Sequence, residues 1–179
     1  MLLVGPARSP RVADRRVIAL SDPAVPSSRQ PYHAVLGARA GDAPKLERFL
    51  RALVARITQR SLAGLLKTYR REGRAVRALG LVVGSVIDPA TIGNDHIRAH
   101  ALEGQLFRSA LEHAARTARV ACSTYVERTL YATAATRLRR PAAELQRAVA
   151  ALGDALDGPW RAEEKAATLA AWMALRSMH

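Results

Sequence analysis

Acidic residues are scarce in this chain, fifteen against 28 lysines and arginines, so their positions are informative. Asp22 closes the apolar run Arg16–Ser21, Glu127 closes the run Arg119–Val126, and Glu163 and Glu164 open the last helical stretch. Each therefore stands at the expected end of an element. Brought to one sheet edge, such carboxylates would repel one another and need a cation, and Mg²⁺ or Mn²⁺ suits a set of oxygen ligands. Two such ions about 4 Å apart drive in-line attack on a phosphodiester. The plainer reading holds for Glu163 and Glu164 in particular: carboxylates in a first helical turn complement the helix dipole and need no ligand.

Other residue sets invite chemistry more weakly. His96, His100 and Glu103 recur one turn apart behind Asn94 and Asp95. Two histidines so spaced can bind zinc, but the glutamate directly after the first histidine that a metalloprotease motif requires is missing. Polar surface, or a helix start touching phosphate through His96 or Arg98, is the simpler expectation. Tyr125 and Tyr131 flank Glu127 and suit either base stacking or core packing. The single Cys122 falls inside an apolar run and has no intrachain partner, which fits a reducing cytoplasmic setting. There is no phosphate-binding glycine loop and no nucleophile elbow.

The elements that must position these residues centre on Leu79–Arg137. Leu79–Ile87 and Arg119–Val126 are short, β-branched and bounded by polar or turn residues, as buried strands are. Between them Ile97, Leu102, Leu106, Phe107, Ala110, Leu111 and Ala114 have helical spacing. Strand, helix, strand at this length predicts a parallel pair. Upstream, Arg16–Ser21 and Tyr32–Ala38 read as a hairpin of two strands joined by a Pro- and Ser-rich loop. Asp42 and Pro44 then start a helix running to about Arg71, with Leu46, Phe49, Leu50, Leu53, Ile57, Leu65, Leu66 and Tyr69 able to line one side. Helices over 142–152 and Trp160–Met178 complete the chain. Residues 1–15 read as a flexible basic tail, and 16–179 as a single α/β domain.

A net charge of +13 over 179 residues is large, and nucleic acid is the expected partner. Arg29, Arg98 and Arg128, with Arg56, Arg60, Lys67, Arg70 and Arg71 of the long helix, are the candidate phosphate contacts. No run of about 18 apolar residues is present, so no membrane span is expected. Ala-rich helices also allow a homodimer.

The ordered set of elements resembles the ribonuclease H-like nucleases of the RuvC and YqgF (Holliday-junction resolvase-like) branch. Val82-Val83-Gly84-Ser85 is similar to a Val-Val-Gly strand of YqgF proteins. Val126-Glu127-Arg128-Thr129-Leu130 with Ala134 resembles their Asp-Glu-Arg-Leu-Thr-Thr…Ala signature, and Glu163-Glu164-Lys165-Ala166-Ala167 their closing Asp-x-x-Ala-Ala helix. Leu20-Ser21-Asp22-Pro23 followed by Ser28-Arg29 is similar to the RuvC opening. The resemblance spans roughly 16 to 175. It implies a mixed sheet, made of an N-terminal hairpin and parallel strands and flanked by helices. It also implies Mg²⁺- or Mn²⁺-dependent cleavage of structured DNA or RNA, with metals held by Asp22, Glu127 and Glu163, or by Glu164 in place of Glu163. The alternative is a catalytically inactive nucleic-acid-binding protein on the same fold. It draws on Ala24, Val25 and Pro26, which replace the family's glycines, and on a final glutamate where the family usually has aspartate.

Overall fold

Short apolar runs become strands only where they find partners, and two such pairings form among the described residues. The computed structural model describes Met1–Arg176. Its residues divide into two compact units, Met1–Val17 with Arg77–Gly84 and the C-terminal part from Ala121, and Ile18–Val76 with Ser85–Val120.

In the first unit, β1 (Leu2–Val4) pairs antiparallel with β2 (Arg11–Asp14). Gly5 turns the chain between them with φ +94°, a conformation that glycine adopts without a Cβ penalty. β3 (Ala78–Val83) lies parallel to β4 (Ala121–Val126), in register from Ala78 opposite Ala121 to Val83 opposite Val126. The parallel pair expected from the central stretch is therefore present. β3 ends earlier than expected, at Val83, and Val86 and Ile87 beyond Gly84 are exposed. A 3-10 turn over Glu127–Thr129 leads into α4 (Leu130–Leu138), followed by α5 (Ala142–Ala151) and α6 (Ala162–Arg176). The expected end of α6 at Met178 lies outside the described residues.

α6 is the centre of this unit. Leu169, Ala170, Trp172 and Met173 are buried among Leu130, Ala134, Leu138, Leu145 and Val149. Trp172 also donates from Nε1 to the carbonyl of Ala7 at 2.6 Å, which ties the helix to the β1–β2 turn. α6 crosses β3 at Gly80, where a Cβ would stand 2.7 Å from the Ala170 carbonyl oxygen. Tyr125 is buried in this core, with its hydroxyl 3.2 Å from Arg137 Nη1, so of the two readings for it the packing one holds.

The second unit is helical: α1 (Pro31–Leu36), α2 (Ala43–Arg71) and α3 (Asp95–Thr117), with 3-10 turns over Pro26–Ser28 and Pro89–Thr91. α2 runs unbroken through Ser61 and Gly64 for 29 residues, roughly 43 Å at 1.5 Å per residue. It buries Leu50, Leu53, Val54, Thr58, Leu62 and Tyr69, which fall on one side at helical spacing. α3 is capped as its sequence suggests, Asn94 Oδ1 accepting from the Ile97 amide at 3.0 Å. Its inward face is made of Ala99, Glu103, Ala110, Ala114 and Ala115 rather than of its largest residues. Alanines let the neighbouring backbone come close. Ile97 and Phe49, expected on inner faces, are instead more than half exposed.

The N-terminal hairpin expected from Arg16–Ser21 and Tyr32–Ala38 does not form. The first segment has no regular structure, and the pairing occurs upstream, within the residues expected as a tail. Arg15 and Arg16 are drawn into ion pairs with Glu164 and Asp14, and Val17 is 98% exposed, so nothing there pays the entropy of an extended ladder. The second segment is α1. Pro31 stands at the first helical position, where its fixed φ is pre-set for a helix, and Gly37 closes the turn. An apolar run this short carries no decisive period.

Gly80→Ala is expected to lower stability by about 1–3 kcal/mol, the usual cost of overpacking, because the atoms in the way are Ala170 backbone. Urea unfolding of the two proteins would read it; equal midpoints would mean that α6 does not press on β3 at this position.

Candidate functional site

The carboxylates singled out by the sequence meet different fates. Asp22 lies in the helical unit, in a loop rather than at a strand end. Its Oδ1 accepts from the Ala24 amide at 2.9 Å, while its own amide donates to Ser28 Oγ at 2.8 Å. Glu127, Glu163 and Glu164 belong to the unit of strands. Glu164 is engaged structurally. Its Oε2 accepts from the Arg161 amide at 2.9 Å, the reach-back bond of a capping box. Its Oε1 is 3.3 Å from Arg15 Nη1, and Arg15 also donates to the carbonyls of Asp157 and Pro159. Asp14, the acid that does end a strand, pairs with Arg16 at 2.5 Å. Glu127, directly after β4, and Glu163, in the first turn of α6, are exposed and carry no ion pair among the described residues.

The basic residues sort in the same way. Arg98 donates to the Ile92 carbonyl at 2.9 Å and pairs with Asp95, which secures the start of α3 and leaves its guanidinium partly engaged. Arg51 is held by Glu47 at 3.3 Å. Both arginines line a cleft of about 500 Å³ formed by α1, α2 and α3, together with Tyr32, Leu36 and Leu102. Burial raises the Tyr32 phenol above its ordinary value. Arg29 and Arg128 are exposed.

Along α2, Arg51 apart, most of the cations face solvent. Lys45, Arg56, Arg60, Lys67 and Arg71 are all exposed, and none pairs with a carboxylate among the described residues. Their successive steps of 11, 4, 7 and 4 residues return to nearly the same side at 3.6 residues per turn. They form one line roughly 39 Å long, and Arg48 and Arg70, also exposed, flank it.

A third group combines residues that the sequence separates. His33 of α1 meets His96 and His100 of α3, and one ligand atom from each ring lies within 4.8 Å of the others. Among the described residues it is the one such group of three. Glu103, buried beneath it, accepts from His33 Nδ1 at 2.8 Å and from the His33 amide at 3.2 Å. His33 escaped the sequence reading because its segment reads as a strand. The proline before it was the signal that marks a helix start.

No family model matches the chain, and no curated protein or solved structure is significantly similar to it.

Glu164→Ala is expected to cost about 0.5–1.5 kcal/mol, the range of a helix-capping contribution, whereas Glu163→Ala stays within about 0.5 kcal/mol. Chemical denaturation of both variants checks this. Equal losses would mean that Glu164 has no special hold on α6.

Proposed function

We propose that the protein binds structured DNA or RNA, and that α2 is its principal phosphate-contacting surface. The observation that carries this reading is the unpaired cationic line of Lys45, Arg56, Arg60, Lys67 and Arg71 on a chain of net charge +13. Charges already paired with carboxylates release few counterions on meeting phosphate; unpaired ones release theirs, which drives association. A line of roughly 39 Å is long enough to follow phosphates over about one turn of duplex, some 34 Å. A rigid helix also holds its cations without the ordering cost that a loop would incur.

A second reading is a metal-dependent nuclease of the ribonuclease H-like, RuvC/YqgF type. What supports it is the parallel β3–β4 pair, with Glu127 at the carboxyl end of β4 and an acidic start to the closing helix. In open α/β sheets ligands bind at such strand ends. Of the carboxylates that the resemblance points to in this unit, Glu164 is neutralised by Arg15, which leaves Glu127 and Glu163 to hold Mg²⁺ or Mn²⁺. The ion would neutralise charge on the phosphodiester. Arg128, beside Glu127 and exposed, would steady the phosphate.

Arg56→Glu/Arg60→Glu/Lys67→Glu is expected to weaken binding of a labelled four-way junction or duplex by at least about 100-fold. It should also flatten the slope of log affinity against log salt by about 2.7, near 0.9 for each lost phosphate contact. Unchanged affinity and slope would remove α2 from the interface. Incubation of the same substrates with Mn²⁺ or Mg²⁺ separates the two readings. Cleavage abolished by Glu127→Gln supports the nuclease; binding without cleavage leaves the binding protein.

A further inference from the structure

We propose that His33, His96 and His100 form a binding site for one Zn²⁺ ion, with its fourth coordination position open to solvent. The site does not depend on the nucleic-acid reading. It lies wholly within the helical unit.

The ligand chemistry comes first. Three imidazoles with an open fourth position is a recurrent zinc arrangement, with Zn–N bonds of about 2.0–2.1 Å. In tetrahedral geometry such bonds place ligating nitrogens about 3.3 Å apart. His33 Nε2 and His96 Nδ1 are 3.2 Å apart, and all three ligand atoms lie within 4.8 Å of one another. The remaining closure is a matter of side-chain rotation. His96 and His100 are exposed and can make it without disturbing the core. Zinc imposes no geometric preference of its own from its filled d shell, which suits a site with two adjustable ligands.

The supporting carboxylate is the independent observation. A metal-bound histidine donates its second ring N–H to a carboxylate or carbonyl, which sets the tautomer and aims the free nitrogen. Glu103 does this for His33, accepting from Nδ1 at 2.8 Å and leaving Nε2 directed at His96. Its other oxygen is 3.7 Å from His100 Nδ1. Glu103 has a side chain only 8% exposed, and a buried carboxylate is retained where a cation or several donors satisfy it. It also accepts from the backbone N–H of His33, the third residue of α1, whose own N-cap residue Gln30 makes no side-chain cap. The same group therefore fixes α1 and aims its histidine. The ion would tie α1 to α3, and its open face would present a water or an anionic ligand.

The test uses the full chain, stripped with EDTA and exchanged into chelator-free buffer. Calorimetric titration with Zn²⁺ should show one ion per chain, and Co²⁺ should give the intense visible absorption of a four-coordinate site. His96→Asn and His100→Asn, both at exposed positions, should each weaken binding by at least about 100-fold while leaving helical circular dichroism unchanged. Glu103→Gln should weaken it by about 10–100-fold, as loss of an outer carboxylate does. His113→Asn, on α3 but outside the cluster, should bind as the parent does. Absence of saturable binding, or binding that survives the His96→Asn/His100→Asn double variant, would overturn the proposal.

Discussion

The buried carboxylate of Glu103 is the interaction on which the helical unit depends. α1 is only six residues long and has no side-chain cap from its own sequence. An isolated helix of that length does not hold in water. Glu103 reaches it from α3, accepts from an orphan amide of its first turn, and accepts a hydrogen bond from the His33 ring as well. An uncompensated carboxylate there would be costly, so the donors and the acid require one another. Position, tautomer and direction of His33 follow from that one contact.

The unit of strands rests on a different constraint, the closeness of α6 to β3. Gly80 and Ala170 meet where any larger pair would collide. That approach brings Leu169, Trp172 and Met173 into one core with α4 and α5. With aromatics at only 4% of the chain, the core gains its area from many small aliphatic contacts. Arg15 closes the edge of this unit. It joins Glu164 to the carbonyls of Asp157 and Pro159, so the start of α6 is held by charge as well as by packing.

Pairing decides which charges are available for function. Glu164, Asp14, Arg98 and Arg51 all have partners that account for them. The line on α2, together with Glu127 and Glu163, has none among the described residues. Charges without internal partners on a strongly basic chain are the ones able to exchange water and counterions for a polyanion or a metal.

The long elements are written locally in the chain. α2 and α3 begin and end almost where Asp42, Pro44, Asn94 and their periodicity place them, and β3 and β4 pair in parallel as their spacing predicts. Those signals are local: a cap, a proline and an apolar period lie within one or two turns of the residues they govern. The cationic character of α2 was legible for the same reason. The short runs and the sites were settled by contacts between distant segments. Leu2–Val4 became a strand because Arg11–Asp14 lies beside it, and Tyr32–Leu36 became helical with Glu103 capping it from 70 residues away. Whether Asp22 serves its own loop, whether Glu164 meets Arg15, and whether His33 joins His96 are questions of contact between distant segments. Composition and period carry no record of which distant partner a side chain meets, because that partner is selected by packing.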